Sequence, residues 1–297
     1  MSTRLLPPKK AICYSGYRDG QRPGGVMPTR EQIEEDIKIL YEEGYEYIRM
    51  YDPNEHARMV LETIRKNNYP IKCMIGVDNE PEINAINCIS GTQTFTEEEL
   101  KAHADRNDRE IDVLIAMANE FEDVINAVSV GNENRFELVG HWIPEERLIE
   151  HAKKLKANVK QIVTYNETIA ALKDAKALGE VLDIVCFHTY PYHTSCPIEK
   201  AIAENQTDYE FARSLFPDKE IAITELGWTT RTANDDRPGF ASVENQKRYV
   251  NEATEWLKSQ DLCGYLFEAF DETWKGDVPE ASECNWGIYD MKRERKW

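Results

Sequence analysis

The sequence predicts an α/β chain folded as a (β/α)8 TIM barrel, with its eighth outer helix short or absent. Three observations predict it. Apolar runs of strand length recur eight times along 297 residues, separated by amphipathic helical segments. The runs are near-continuously apolar rather than alternating, as strands covered on both faces are. Most of them finish on polar residues, which suits a barrel that gathers its strand ends at one mouth. A doubly wound nucleotide-binding sheet fits less well, because GYRDGQRPGG (16–25) has glycines without GxGxxG spacing.

In order, the strand-like runs are AICYS (11–15), YEYIRMY (45–51), IKCMIGV (71–77), INAVSVG (125–131), NVKQIVTY (158–165), VLDIVCFHTY (181–190), EIAITE (220–225) and CGYLFEAF (263–270). The segment PTREQIEEDIKILYEEG (28–44) opens on Thr29 with Gln32 three residues on, a capping box, and closes on Gly44. Residues 95–121 repeat the device with Thr96 and Glu99. Helical patterns follow at 143–158, 167–179 and 241–260. After the last run only 27 residues remain, with no clear amphipathic helix. No Pro-, Gly- or Ser-rich linker divides the chain, so residues 1–297 are expected to form one domain.

Lys and Arg number 36 against 54 Asp and Glu, a net charge of -18. So negative a field argues against nucleic acid and anionic membrane as partners and permits a neutral ligand. No apolar stretch approaches the length of a membrane span, and MSTRLLPPKK lacks the apolar core of a signal peptide. The seven cysteines show no metal-ligand spacing and several sit in strand-like runs, which points to reduced, buried thiols; Cys88, Cys196 and Cys284 are the ones placed where pairing is open. The sequons at Asn166 and Asn205 matter only in a eukaryotic secretory setting.

Strand ends carry the candidate chemistry. They supply Arg49, Tyr51 and Asp52, then Asn132 and Glu133, then Tyr165, Asn166 and Glu167. His188, Tyr190 and Tyr192 follow, then Glu225 and Trp228, and finally Asp271, Glu272, Trp274 and Lys275. Two carboxylates across a barrel mouth suit glycoside hydrolysis, in which one protonates the leaving oxygen and the other attacks the anomeric carbon or activates water. Arg49 near Glu225 would keep that carboxylate ionised. A single strand-end glutamate is as readily a rim ion-pair partner of Arg49 or Lys275; two, each in a strand-end motif, favour catalysis. Trp142, Trp228, Trp274 and Trp286 follow strand ends and offer flat faces for a sugar ring, or else pack loops on the barrel. His188 and His193 are not metal-spaced, and no metal is expected. Glu167 either faces the mouth or caps the next helix.

The motifs ICYSGYRDGQ, YIRMYD, AVSVGNEN, FHTYPY, ITELGW and FDETWKG…NWGIYD together resemble glycoside hydrolase family 17, over essentially the whole chain and in the right order. That family comprises β-1,3-glucanases (laminarinases) and their glucan-remodelling relatives in clan A. The resemblance implies that Glu133 is the general acid/base and Glu225 the nucleophile of a retaining endo-β-1,3-glucanase, with Asn132 on the substrate's 2-hydroxyl. It implies that Arg49 and Tyr190 hold Glu225, and that Glu272 and Lys275 support the acid/base machinery or a sugar subsite. Tyr14, Tyr51, Trp142, Trp228 and Trp274 are the candidate substrate-binding residues. No cofactor is implied, the partner is β-1,3-glucan or laminari-oligosaccharides, and a monomer is expected. The resemblance also suggests an extracellular or periplasmic protein whose targeting segment lies outside this chain. A β-1,3-glucanosyltransferase would use the same two glutamates, and a non-catalytic glucan-binding barrel is the alternative from another class. The long stretch DNEPEINAINCISGTQTF (78–95) departs from the pattern and could reshape one end of the cleft.

Overall fold

The computed structural model describes residues 4–85, 88, 92–136, 140–233 and 239–297. Eight parallel strands run in chain order: β1 (Ala11–Cys13), β2 (Tyr47–Met50), β3 (Lys72–Ile75), β4 (Ile125–Asn132), β5 (Ile162–Thr168), β6 (Ile184–Thr189), β7 (Glu220–Leu226) and β8 (Gly264–Leu266). They close on themselves, with Ile12 of β1 opposite Leu266 of β8. Among the described residues seven α-helices cover the outside: α1 (Arg30–Glu42), α2 (Glu55–Lys66), α3 (Glu97–Glu120), α4 (Glu145–Asn158), α5 (Lys176–Val181), α6 (Ala201–Leu215) and α7 (Val243–Ser259). This is the (β/α)8 barrel the sequence predicts, and among the described residues no α-helix follows β8. Nor is any described helix long and apolar enough to cross a membrane.

Both capping boxes form, Thr29 with Gln32 and Thr96 with Glu99. Most strands are shorter than the apolar runs that predict them, α2 and α6 join the expected helices, and three boundaries differ for a visible reason. Asn158 ends α4 rather than starting a strand: its Nδ2 donates to Lys154 O at 2.8 Å, and Val159 N–H closes the helix on Leu155 O at 2.9 Å. Glu167 and Thr168 prolong β5, so the helix read over 167–179 shrinks to a 3-10 turn at 172–175 and the short α5. β8 stops at Leu266, before a cis peptide at Phe267–Glu268, although Phe267 N–H still reaches Leu226 O (2.8 Å) and Ala269 N–H reaches Cys13 O (3.0 Å).

Apolar burial falls in two layers. Inside the barrel small side chains dominate, among them Ala11, Cys13, Ala127, Cys186, Ala222 and Cys263. The larger layer lies between strands and helices. All seven cysteines are free and buried, Cys88, Cys196 and Cys284 included, so they act as small hydrophobes. Asn166 and Asn205 are at most 1 % exposed, so neither sequon presents its side chain on the folded surface. Of the long stretch 78–95, residues 86–87 and 89–91 lie outside the described residues.

The last residues stand where an eighth helix would pack. Tyr289 bridges to Phe270 and to Arg295, laying the tail along the barrel rim. Gly287 makes that approach possible, since a Cβ there would sit 2.2 Å from Asp271 N. Arg293 then inserts its guanidinium against Asp36 of α1, with Nε and Nη2 donating at 2.8 and 2.9 Å. The tail thus substitutes a buried ion pair for helix packing.

Candidate active site

The turn after β4 sets the first carboxylate. Gly131 leaves room that a Cβ would lose to Asn134 Oδ1 at 2.1 Å, and that same Oδ1 accepts Asn132 N–H at 2.9 Å. The turn puts Glu133 at φ 55°, a left-handed conformation that costs a non-glycine residue about 1–2 kcal/mol. Glu133 N–H donates to Asn166 O at 2.8 Å, so β5 anchors the turn. Glu167 anchors it again: buried at the end of β5, it accepts from Arg135 N–H (2.9 Å), Thr168 N–H (2.7 Å) and the Tyr165 hydroxyl (2.5 Å). Burial, with the Glu133 charge adding to it, pushes Glu167 up to about 7 against the opposing Tyr165 hydrogen bond. Glu167 therefore neither caps a helix nor stands free at the mouth.

The second carboxylate, Glu225, ends β7 directly opposite His188 of β6. One oxygen accepts from Arg49 Nη1 and from the Tyr51 hydroxyl (2.9 Å); the other accepts from the Tyr190 hydroxyl at 2.5 Å. Arg49 is 1 % exposed and also donates to Asn132 Oδ1 at 2.5 Å. Burial alone would push Glu225 up. The neighbouring His188, the Arg49 guanidinium and the Tyr190 hydrogen bond outweigh it and bring Glu225 down to about 2. The carboxylate is thus ionised at any ordinary pH. Removing Arg49 takes away both a charge and a hydrogen bond that oppose burial, leaving His188 and Tyr190. Arg49→Met is expected to move the acid limb of the kcat/KM–pH profile upward by more than one pH unit; an unmoved limb would show that Arg49 does not hold Glu225 ionised.

His188 joins the two carboxylates. Its Nδ1 lies 2.6 Å from Glu133 Oε1 and 3.6 Å from Glu225 Oε2. Its Nε2 is buried with no acceptor, which favours the tautomer with the proton on Nδ1. One oxygen of Glu133, one of Glu225 and the imidazole nitrogen all lie within 4.8 Å of one another. These three could be mistaken for metal ligands. The oxygens of Glu225, however, already serve Arg49, Tyr51 and Tyr190, and a buried guanidinium beside them repels a cation.

A second buried cluster lies past β8. Lys275 Nζ donates to Glu268 and, at 2.8 Å, to Glu272. Glu272 also accepts from the Ser15 hydroxyl (2.5 Å) and Tyr17 N–H (2.8 Å). Burial raises both acids. For Glu272 the Lys275 charge and these donors reverse the effect and hold it below the usual carboxylate range. Glu268 stays well above that range, because Lys275 only partly offsets burial and the Glu272 charge adds to it. The shared ammonium thus splits the pair, one acid lowered and the other raised.

Glu133, His188, Tyr190, Glu225 and Lys275 line a cleft of about 1410 Å³ at the strand ends. Tyr17 and Trp274 form one wall, edge to face at 6.0 Å between centroids, and Trp274 is 38 % exposed. Trp286, Tyr190 and His193 form another, and Phe136 and Ile169 a third. Of the residues named from sequence, Arg49, Asn132, Glu133, Tyr190 and Glu225 converge on one place, Tyr51, Trp274 and Lys275 line the cleft, and Glu272 is paired to Lys275 in the second cluster. Three assignments change. Trp228 has no exposure; it packs on Tyr192, Phe240 and Tyr249 and donates its indole N–H to Phe240 O, so it supports the wall from behind. Trp142 lies outside the cleft lining and donates to Phe136 O at 2.9 Å, positioning that ring instead. Tyr14 is 1 % exposed, its hydroxyl turned to Asp36 at 3.2 Å, which leaves only its edge in the cleft. His188 and Trp286 were named from sequence only as a strand-end residue and as a face that stacks a sugar or packs a loop; Phe136 and Glu268 were not named. Register is the further signal for His188, which stands two residues before the Tyr-Pro-Tyr turn and opposite Glu225 of the next strand.

A closed eight-stranded barrel with two carboxylates paired at its mouth and aromatic walls around them defines a class: this is a glycoside hydrolase. Sequence comparison places it further. The chain belongs to the BtgE/BtgC glycoside hydrolase domain family, whose sequence model matches residues 11–287. It is 24 % identical over 295 residues to a glucan 1,3-beta-glucosidase of Arthroderma benhamiae, covering 93 % of this chain and 87 % of that protein. It is 23 % identical over 210 residues to a probable glucan endo-1,3-beta-glucosidase, btgC, of Aspergillus clavatus, covering 63 % of this chain but only 30 % of that protein. Among solved structures it resembles an endo-laminarinase from Formosa Hel1_33_131, with a TM-score of 0.80, 22 % identity and coverage of 95 % and 83 %. It also resembles a glycoside hydrolase family 17 beta-1,3-glucanosyltransferase from Rhizomucor miehei, with a TM-score of 0.75, 18 % identity and coverage of 97 % and 95 %. At such identities the structural likenesses establish the barrel; the chemistry has to be argued from the site.

Proposed function

We propose that this protein is a retaining endo-β-1,3-glucanase of the glycoside hydrolase family 17 type, acting as a monomeric single domain without a cofactor. One observation carries the reading: two carboxylates with oxygens inside 4.8 Å, one of them locked as an anion by Arg49. Retaining enzymes need their carboxyls about 5–5.5 Å apart, whereas inverting ones leave room for water at about 6.5–9.5 Å. The names of the sequence relatives supply the substrate class.

In the first step Glu225 attacks the anomeric carbon of a bound glucan while Glu133, protonated, gives its proton to the departing glycosidic oxygen. The C–O bond to the leaving sugar breaks, and an ester between that carbon and Glu225 forms with inverted configuration. Water then enters on the leaving-group side. Glu133 takes its proton, the ester breaks, and the second inversion restores the β configuration. Asn132, its Oδ1 already engaged by Arg49, is left to donate from Nδ2 to the substrate's 2-hydroxyl. His188 steadies Glu133 through Nδ1 in both steps.

A product time course on linear β-1,3-glucan, β-1,4-glucan and mixed-linkage glucan tests the reading, with the anomeric configuration followed by proton NMR. Short β-1,3 oligosaccharides that first appear as β anomers are expected. First-formed α anomers, or cleavage of β-1,4-glucan alone, would sink it; products longer than the donor would mark a glucanosyltransferase. Glu133→Gln is expected to slow glucan hydrolysis by about 10²–10⁴-fold yet spare aryl glycosides whose leaving group needs no proton. Equal losses on both substrates would remove Glu133 from the acid role.

A further inference from the structure

We infer that Glu167 is a positioning residue for the acid/base step, its buried carboxylate tying the turn that carries Glu133 to the strand end that carries His188. Resting on the glucanase reading above, this role is exercised through Glu133 and touches no substrate. Glu167 has no exposed surface at the end of β5, where an anion is costly and an uncharged acceptor would satisfy one backbone N–H as well. What a carboxylate adds is two oxygens facing different ways, each able to accept more than one hydrogen bond.

Each oxygen grips one support of Glu133. Oε2 accepts from Arg135 N–H at 2.9 Å and from the Tyr165 hydroxyl at 2.5 Å. Arg135 lies two residues past Glu133, so this bond closes the turn that holds Glu133 at φ 55°. A backbone in that region keeps its shape only where its surroundings over-determine it. Oε1 accepts from Thr168 N–H at 2.7 Å. Thr168 stands opposite His188 in the sheet, and the next amide, Ile169 N–H, donates to His188 O at 3.1 Å. His188 Nδ1 in turn lies 2.6 Å from Glu133 Oε1. One side chain thus braces both the backbone from which Glu133 hangs and the strand end behind the imidazole that steadies its oxygen. Asn166, the neighbour of Glu167, adds a third hold through its carbonyl on Glu133 N–H at 2.8 Å. Glu225 is held from elsewhere, by Arg49, Tyr51 and Tyr190. Loosening Glu167 therefore disturbs proton delivery before it disturbs attack.

The leaving group reads this out, because kcat/KM on aryl β-laminaribiosides stops at formation of the ester with Glu225. Glu167→Leu, which removes both grips, is expected to lower kcat/KM about 10²-fold on the phenyl glycoside, whose phenoxide needs the proton, and to leave the dinitrophenyl glycoside nearly untouched. Glu167→Gln keeps the shape and one acceptor oxygen, and a smaller loss with the same selectivity is expected. Should the leucine variant fail to fold, the isosteric glutamine variant carries the test alone. Equal losses on both glycosides, or no loss on either, would make Glu167 a structural residue and overturn the inference. Glu133→Gln run beside them separates the two levels. If it discriminates between the glycosides and the Glu167 variants do not, only the positioning role fails. If Glu133→Gln itself loses equally on both, the acid role of Glu133 falls, and the positioning role with it.

Discussion

Glu225→Ala is expected to lower kcat on β-1,3-glucan by on the order of 10⁴-fold or more, because no neighbouring group can replace the attacking oxygen. Arg49, Tyr51 and Tyr190 all converge on Glu225, and none of them is a nucleophile at neutral pH. The alanine variant also leaves a hole beside the reacting carbon. Added azide is expected to enter it and restore turnover of an activated aryl glucoside, releasing a glycosyl azide of α configuration. That outcome follows from a single inversion by an external nucleophile with Glu133 still in place. A β-configured azide, or rescue of the Glu133 variant in its stead, would exchange the two roles. Glu225→Gln separates chemistry from folding, since the amide keeps an acceptor for Arg49. It is expected to be as inactive as the alanine variant and to melt closer to wild type.

The barrel was legible because burial on both strand faces writes itself as apolar runs, and because capping boxes at Thr29 and Thr96 mark helix starts. Where local signals competed, the boundaries moved. VTYNE carries a helix-like tail, yet Glu167 stays in β5, since three donors from Tyr165, Arg135 and Thr168 satisfy it there. At the site, polar residues at or just past strand ends were legible, and the placement of loop aromatics was not. Strand residues alternate in direction, so Glu225 and Arg49 had to point into the barrel or its mouth. A loop tryptophan carries no such parity. Trp228 and Trp286 look alike in sequence, and only the fold sets Trp286 in the cleft wall and Trp228 behind it. The role of His188, though not its place at a strand end, was hidden for another reason: metal spacing is a test along the chain, whereas its partners Glu133 and Glu225 come from the turn after β4 and from β7.

The two carboxylate pairs obey one rule with opposite results. Glu225 is buried against a guanidinium it does not share with another carboxylate, and it stays charged. Glu268 and Glu272 share one ammonium, and a single positive charge cannot hold two buried anions. Glu272 is held low because Ser15 and Tyr17 also donate to it, and Glu268 stays raised.

Asp36→Leu is expected to cost about 3–5 kcal/mol of stability, measured by urea unfolding at pH 7, and Arg293→Met distinctly less. The asymmetry comes from what each change strands. Without Asp36, the buried Arg293 loses its carboxylate and cannot shed its proton, and Arg18 loses a partner at 3.0 Å. Without Arg293, Asp36 keeps Arg18 and the Tyr14 hydroxyl at 3.2 Å, and it can also take up a proton. Burial already raises Asp36 against the pull of Arg293, so losing that pull raises it further. An acid raised in the folded state binds more protons folded than unfolded. Its contribution is therefore best at low pH and declines as pH rises from its unfolded value through its folded one. The Arg293→Met deficit is accordingly expected to be smaller at pH 4.5 than at pH 7, whereas the Asp36→Leu deficit, which removes the raised acid itself, is expected not to shrink there. The double variant Asp36→Leu/Arg293→Met should recover most of the loss, because an apolar pair needs no desolvation. Equal, pH-independent losses from both single changes would mean that the tail is held by packing around Tyr289, and that the ion pair is not what replaces the missing helix.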